Sequence, residues 1–565
     1  MALVTGKGES HVNILRSAVL GLGFVALTSC GGGGGSGGSD GGSGGSSAPS
    51  IDIALSTSSV TESLIQGLSA DIQVGATATV QTGATISGTV YVLIVDHGGV
   101  LDAKDSSISG HGISYEATLI TNPKLSVGEH KGTIDIEACG DRNCKLLYGS
   151  ASLDYDLKVT SATNLKHLTP LSGVSDWQPL NGNSQRTAYV PVSLNASRFS
   201  PRWLYAEQDT QYIETMSDFT GAGELAVNTT NTVTTDSAND LIVFADGPLL
   251  VALQGSDGSQ VWSEDLDPHN QGDPVAPAIA NGVVYTTQET VDSSTGTEGQ
   301  ELISFDEMTG SAGFTESYHS LCSRCGTAPV TVVGSTVFLE PDNFGSGMAL
   351  LAFDATAGTL LWESANDVNM ARGYALDSSD AYFIDDNFDG LVALDQPTGT
   401  QQFAVAAASS GGTGGRLISL DGAGGAITLS GGQFVRTDLT AQTVSWSTPA
   451  LSTNTIITAN AIGNGLMYIG VIGSDFQPAV MAYSTSNGHK SWSWSPPADD
   501  GSTEVVSLIA TKNLLFVSTD ALTYAVDVQT QTVLWSYPLG GGLSISPAGI
   551  LYIQGADHVA AVNLE

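Results

Sequence analysis

Basic residues are scarce in this chain. Eighteen lysines and arginines stand against 57 aspartates and glutamates, a formal net charge of −39 over 565 residues. After Trp262 the cations are Arg324, Arg372, Arg416, Arg436, Lys490 and Lys512 alone. Such a surface repels phosphate backbones, which argues against nucleic acid as a partner. Long apolar runs are missing too. Ala18 to Leu27 falls short of the ~20 apolar residues that span a bilayer, and no later stretch does better. Helical periodicity is hard to find after Ser50. Cysteine is limited to five residues, no two of them adjacent. No Gly-x-Ser-x-Gly elbow sits on a strand-to-helix turn, and the histidines are scattered, so Ser/His/Asp catalysis has no support. What remains is a chain of low charge density with 68 glycines, a composition that suits an exported all-β protein.

A tail of the form apolar–Ala–apolar–Asp–x–x–x–Gly–x–x–x–Trp recurs along the last two-thirds. It reads clearly from Leu351 to Trp362, with Asp354 and Gly358, and again from Val392 with Asp395, Gly399 and Phe403 at the Trp position. Looser copies end at Trp262, Phe314, Trp446, Trp492 and Trp535, and Trp203 stands ahead of them all. The aromatic-to-aromatic steps run from 41 to 59 residues. One four-stranded propeller blade requires about 40–50. Short β-branched runs cut by Gly, Asn and Asp read as antiparallel strands. The Asp accepts hydrogen bonds from the turn backbone, the Gly supplies positive φ, and the Trp gives a large flat surface for the neighbouring blade. Third-strand segments fall near Val251, Ile303, Ala352, Val392, Val435, Ala482, Tyr524 and Ala560. The last lacks an outer strand, and Ser200 to Tyr205 at the front lacks a sheet. Their pairing would close a ring of eight blades, with seven as the alternative, and leave no free edge.

These tails, with openings such as Pro277–Tyr285 and Ser546–Tyr552, resemble the pyrroloquinoline-quinone-like (quinoprotein alcohol dehydrogenase-like) propeller superfamily over roughly Thr187 to Glu565. The resemblance implies the fold. It leaves activity open, because that superfamily mixes cofactor-dependent dehydrogenases with propellers that bind no cofactor. A dehydrogenase of this kind would need PQQ with calcium, a catalytic Asp, a Trp floor and, typically, a vicinal Cys-Cys pair. This chain has no such pair and few cations for the quinone carboxylates. Arg324, Arg372 and Arg416 are the cations considered, but nothing in the sequence places them together. Asp385-Asp386-Asn387-Phe388-Asp389-Gly390 imitates the start of a calcium loop, but Gln396 occupies the twelfth position, where a bidentate Glu belongs, and a hairpin turn is the better reading.

Residues 1–30 resemble a bacterial lipoprotein signal. Lys7 and Arg16 precede a short apolar segment that ends in Leu27-Thr28-Ser29-Cys30, similar to a lipobox. The resemblance implies cleavage before Cys30, a lipid on that residue and, with Gly31 next, the outer membrane. Residues 31–50 read as a Gly/Ser linker of very roughly 20–25 Å root-mean-square reach. Residues 51–160 read as about seven strands and resemble a bacterial Ig-like β-sandwich, expected as a spacer. Residues 161–194 read as an irregular lead-in, with Trp177 packing on a propeller face, and residues 195–565 as the propeller. Cys139 and Cys144 flank a hairpin tip and are expected to form a local disulfide. Cys322 and Cys325 are expected to form a structural loop disulfide, with thiol redox activity or a metal site as alternatives.

The expectation from sequence is therefore all-β: an eight-bladed PQQ-like propeller preceded by an Ig-like sandwich. The function expected is a non-catalytic, lipid-anchored scaffold for envelope protein partners, monomeric or within a complex, with neither metal nor cofactor. The propeller lipoprotein of the β-barrel assembly machinery is the nearest analogue in class, although its chain is shorter and lacks the N-terminal module. The alternatives are a PQQ-dependent dehydrogenase and a surface adhesin or glycan binder.

Overall fold

The computed structural model describes residues 50–81, 86, 90–102, 106–111, 113–207, 232–266, 276–292, 297–318, 328–340, 349–364, 373–385, 390–406, 417–430, 432–452, 455–473, 477–498 and 500–565, together with the backbone of 13–20. Contacts divide the chain into two units, Met1–Ala162 and Thr163–Glu565. Cys30, the Gly/Ser linker before Ser50, Cys322, Cys325, Arg324, Arg372, Arg416 and residues 386–389 lie outside the described residues. Asp385 pairs with Gly390 across the last of these segments, as the two ends of a hairpin would.

In the first unit, strands β1 (Asn13–Leu20), β2 (Ile51–Leu55), β3 (Ser59–Ile65), β4 (Asp71–Val80), β5 (Val90–Asp96), β6 (Ser107–His111), β7 (Ser114–Ile120), β8 (Gly128–Cys139) and β9 (Leu147–Thr160) form two sheets. Their orders are β1-β5-β8-β9-β3 and β2-β4-β7-β6. Ile72, Val74 and Leu119 from one sheet meet Ile94, Ile134, Leu153 and Leu157 from the other in a single core. The alternation in β9 produces this: Leu153, Tyr155, Leu157 and Val159 are buried while Asp154 and Lys158 are exposed. Cys139 and Cys144 are disulfide-bonded at the β8–β9 tip, with Cα atoms 5.0 Å apart. β1 lies inside the segment that resembles a signal, so its pairing describes the uncleaved chain.

Among its described residues the second unit holds eight four-stranded antiparallel sheets. Blade 1 comprises Thr234–Asp236, Leu241–Asp246, Leu249–Gln254 and Gln260–Asp265, running from the innermost strand outward. The innermost strands of blades 2 to 8 are Ala278–Ala280, Val330–Val333, Tyr374–Leu376, Ile418–Leu420, Ile456–Gly463, Val505–Ala510 and Gly542–Ile545. Blade 8 takes its outer strand from β10 (Ser200–Ala206), which pairs antiparallel with His558–Asn563. Trp203, Ile550 and Tyr552 of blade 8 share a core with Ile242 and Phe244 of blade 1, so the ring is continuous there.

Each repeat tail is a docking corner for the blade before it. Asp354 Oδ1 accepts the N–H groups of Thr356 and Ala357 at 2.9 and 2.7 Å, and Asp395, Asp438 and Asp527 cap their turns likewise. The indole of the preceding blade lies on the corner glycine and donates its Nε1–H to a carbonyl beside it. Trp203 bonds Gly255 O, Trp262 bonds Glu307 O, Trp362 bonds Gln396 O and Trp446 bonds Thr485 O, at 2.7–2.9 Å. Phe314 covers Gly358 without a donor, and there the carbonyl of Ala355 accepts the Tyr285 hydroxyl at 2.8 Å instead.

The Trp492 ring lies 5.7 Å from Tyr468 of its own blade and tilted to it, as Trp203 lies to Tyr552, and the corner of blade 7 carries Gln531 with φ 57° in place of glycine. Trp535 meets Phe199, which immediately precedes β10 of blade 8, edge-on at 5.4 Å.

Candidate functional site

Propeller topology gives the central channel two different ends. Turns from first to second strand lie at one; turns from second to third strand and the connections between blades lie at the other. The lead-in occupies the first. Residues 171–190 form a strap bonded to the inner strands of most of the ring. Leu171 N–H donates to Pro547 O of blade 8 at 2.7 Å. Trp177, buried as expected, exchanges bonds with Thr235 of blade 1, and Gln178 Nε2 donates to Ile279 O of blade 2 at 2.9 Å. The N–H groups of Leu376, Leu420, Ile462 and Ala510, in blades 4 to 7, donate to the carbonyls of Ser184, Gln185, Thr187 and Ala188 at 2.7–3.0 Å.

The strap is held in a costly backbone. Leu180, Asn181, Arg186 and Ala188 have φ of 62°, 70°, 58° and 45°. Non-glycine residues rarely enter this region, and each entry costs about 1–2 kcal/mol. Side chains lock it: Asn181 Nδ2 donates to Asn460 Oδ1 at 3.0 Å, and Asn460 Nδ2 donates to Ser419 Oγ at 2.9 Å. The Arg186 guanidinium lies 4.7 Å from the Tyr374 ring centroid, wholly desolvated, and burial pulls its pKa below the ordinary value. The sequence marks this stretch as irregular, with Trp177 alone placed against a propeller face.

At the opposite end the second strands of blades 1 and 4 terminate in Asp246 and Asp385, and Glu340 directly follows the second strand of blade 3. Glu207, at the exit of β10, accepts from Gln554 Nε2 at 3.2 Å. Burial, reinforced by the nearby Asp246, raises its carboxyl to about 9. This end is the position to test for a quinone cofactor. A tricarboxylate needs cations. Three of the described propeller cations are committed elsewhere: Arg186 to the strap, Arg202 to Ser256 O, Lys166 O and Asn563, and Arg436 to Asp421 at 2.6 Å. Calcium would need converging ligands. Among the described residues the carboxyl, thiol and imidazole groups that converge in threes are Glu137, Cys139 and Cys144, where the two sulfurs are already bonded to each other. Arg186, Arg202 and Arg436 are thus not free to hold quinone carboxylates, while Arg324, Arg372 and Arg416 lie outside the described residues.

The protein family described as outer membrane protein assembly factor BamB matches residues 208–365 and again 346–548. Together these matches run from 208 to 548, more than half of the 565 residues. Among solved structures, BamB from Moraxella catarrhalis is 17% identical, covering 64% of this chain and 98% of that one, with a TM-score of 0.42. Quinohemoprotein alcohol dehydrogenase from Comamonas testosteroni is 13% identical over 69% of this chain and 81% of its own, with a TM-score of 0.51. Quinohemoprotein alcohol dehydrogenase ADHIIG from Pseudomonas putida HK5 is 13% identical over 69% and 80%, with a TM-score of 0.50. At such identities the two dehydrogenases establish the fold alone. No curated protein matches the sequence. The chain thus belongs to the PQQ-like β-propeller repeat family described as outer membrane protein assembly factor BamB.

Proposed function

We propose that this protein is a non-catalytic lipoprotein of the bacterial outer membrane, anchored through Cys30, whose propeller is a rigid scaffold for envelope proteins in outer-membrane protein assembly. The strap carries this reading. A channel end bridged by a polypeptide bonded to seven blades is built for stiffness, and it leaves the opposite rim, where connections from many blades gather, as the surface to present. The carboxyl groups at that rim and the committed cations support a site without quinone chemistry. Membership in a family described by its role in outer-membrane protein assembly supports the cellular setting.

The test has two arms. Purified protein supplied with PQQ and calcium is expected to reduce no dye with alcohols or sugars as donors; turnover would refute the non-catalytic reading. Photo-crosslinkers placed at Glu264, Ser317 and Glu363, exposed residues at the outer-strand ends on that side, are expected in intact cells to capture a component of the β-barrel assembly machinery. Crosslinks to glycan alone would refute the scaffold reading in favour of an adhesin.

A further inference from the structure

The N-terminal sandwich is complete only while residues 13–20 are attached. β1 runs antiparallel to β5, with Asn13 opposite Asp96, Leu15 opposite Ile94 and Leu20 opposite Val90. It also comes against β6, the edge of the facing sheet. Cleavage before Cys30 would take β1 away and make β5 an edge strand.

Over residues 90–95 that edge has no guard. Proteins blunt exposed edges with lysine, proline, inward-pointing charge or very short strands. The other edges here follow the rule: β3 carries Glu62, β2 carries Asp52, and β6 has five residues with Gly110 among them. β5 reads Val-Tyr-Val-Leu-Ile-Val-Asp, with no proline and no lysine, and its one charge, the buried Asp96, sits at the last position, where it accepts the N–H groups of Gly98, Gly99 and Leu101. Behind it the two sheets do not fill the space between them. A cleft of about 40 Å³ remains, lined by Ile51, Ile53, Val80, Val90, Val92 and Tyr115 among others. Water in an apolar cleft lacks hydrogen-bond partners, and an unfilled void forfeits dispersion contacts. The unmet backbone groups and the unfilled apolar volume thus lie side by side, and one extended apolar strand satisfies both.

We propose that in the chain freed of its leader the β5 edge is an acceptor site for an extended, apolar, proline-free strand supplied by another polypeptide. The strand adds antiparallel through backbone hydrogen bonds and sends apolar side chains into the cleft. The leader occupies the same site in the precursor and keeps it covered until cleavage. This inference rests on removal of the leader and is independent of the scaffold reading of the propeller.

The probe is a fluorescein-labelled peptide of residues 12–21, titrated into the chain beginning at Gly31 and, in parallel, into the full chain. Saturable one-to-one binding is expected for the chain from Gly31, with weaker binding to the full chain. On binding, amide exchange within Val90–Asp96 slows while that of Ser59–Ile65, at the far edge of the same sheet, is unchanged. Val92→Glu, which puts a charge into the cleft, is expected to weaken binding by at least about tenfold. Should that variant fail to fold, the exchange map of the unsubstituted chain decides. Equal binding by the full chain, equal binding of a scrambled peptide, or unchanged exchange in β5 would overturn the proposal. Self-association of the peptide-free chain through β5 would overturn the assignment to a foreign strand.

Discussion

Gly399 and Gly334 hold the same left-handed backbone, φ 67° and 61°, in different surroundings. A Cβ on Gly334 would meet nothing within 4 Å, whereas one on Gly399 would lie 2.6 Å from Cδ2 of Trp362. Gly334→Ala is therefore expected to lose about 1 kcal/mol, the penalty of the backbone alone. Gly399→Ala is expected to lose about 2–4 kcal/mol, because the indole must also leave the corner. Urea denaturation followed by tryptophan fluorescence separates the two. Glu207 sets a pH dependence. Its carboxyl titrates near 9 in the folded chain against an ordinary 4.5. The folded state keeps a proton that the unfolded state releases between those values, so this contribution is fully present below pH 4.5 and fades as pH rises toward 9. Urea midpoints measured across that window should fall with rising pH, and Glu207→Gln should flatten the slope. Nothing in the local sequence marks Glu207: the groups around it, Asp246 and Gln554, arrive from distant parts of the chain.

The strap is the element whose loss would be most informative. Ala188 has φ 45° and donates its N–H to Asn181 O at 2.8 Å, and a proline meets neither requirement. Ala188→Pro is expected to detach the strap and leave the N–H groups of Leu376, Leu420, Ile462 and Ala510 unpaired, each worth about 1–3 kcal/mol if still buried. Amide exchange at those four positions should accelerate while the β10 pairing with His558–Asn563 stays protected. The blades themselves were legible from sequence because Asp354, Gly358 and Trp362 each answer a local demand that recurs at a fixed period: turn capping, positive φ, a flat cover. The strap was not. Its bonds use backbone carbonyls, which leave no trace in composition, and its positive φ falls on Leu180, Arg186 and Ala188, residues that do not advertise it.

Across the whole molecule, charge opposes compactness. With a net charge of −39 the folded chain repels itself. Screening should relieve this: as ionic strength rises from about 0.01 M to about 0.15 M the Debye length falls from about 30 Å to about 8 Å, and the melting temperature should climb. A calorimetric series in NaCl tests this, and a flat response would mean that local pairs such as Arg436–Asp421 outweigh the mean field.

The seam of the ring sets a timetable for biogenesis. Arg202 in β10 bonds Asn563, 361 residues further along the chain. At ordinary ribosome speeds that interval is on the order of 20–70 s, during which β10 has no partner and the seven sheets between cannot form a closed circle. A polypeptide that stays unsealed until its last segment emerges remains threadable, a useful state for cargo that must pass through a narrow translocation pore before it hardens.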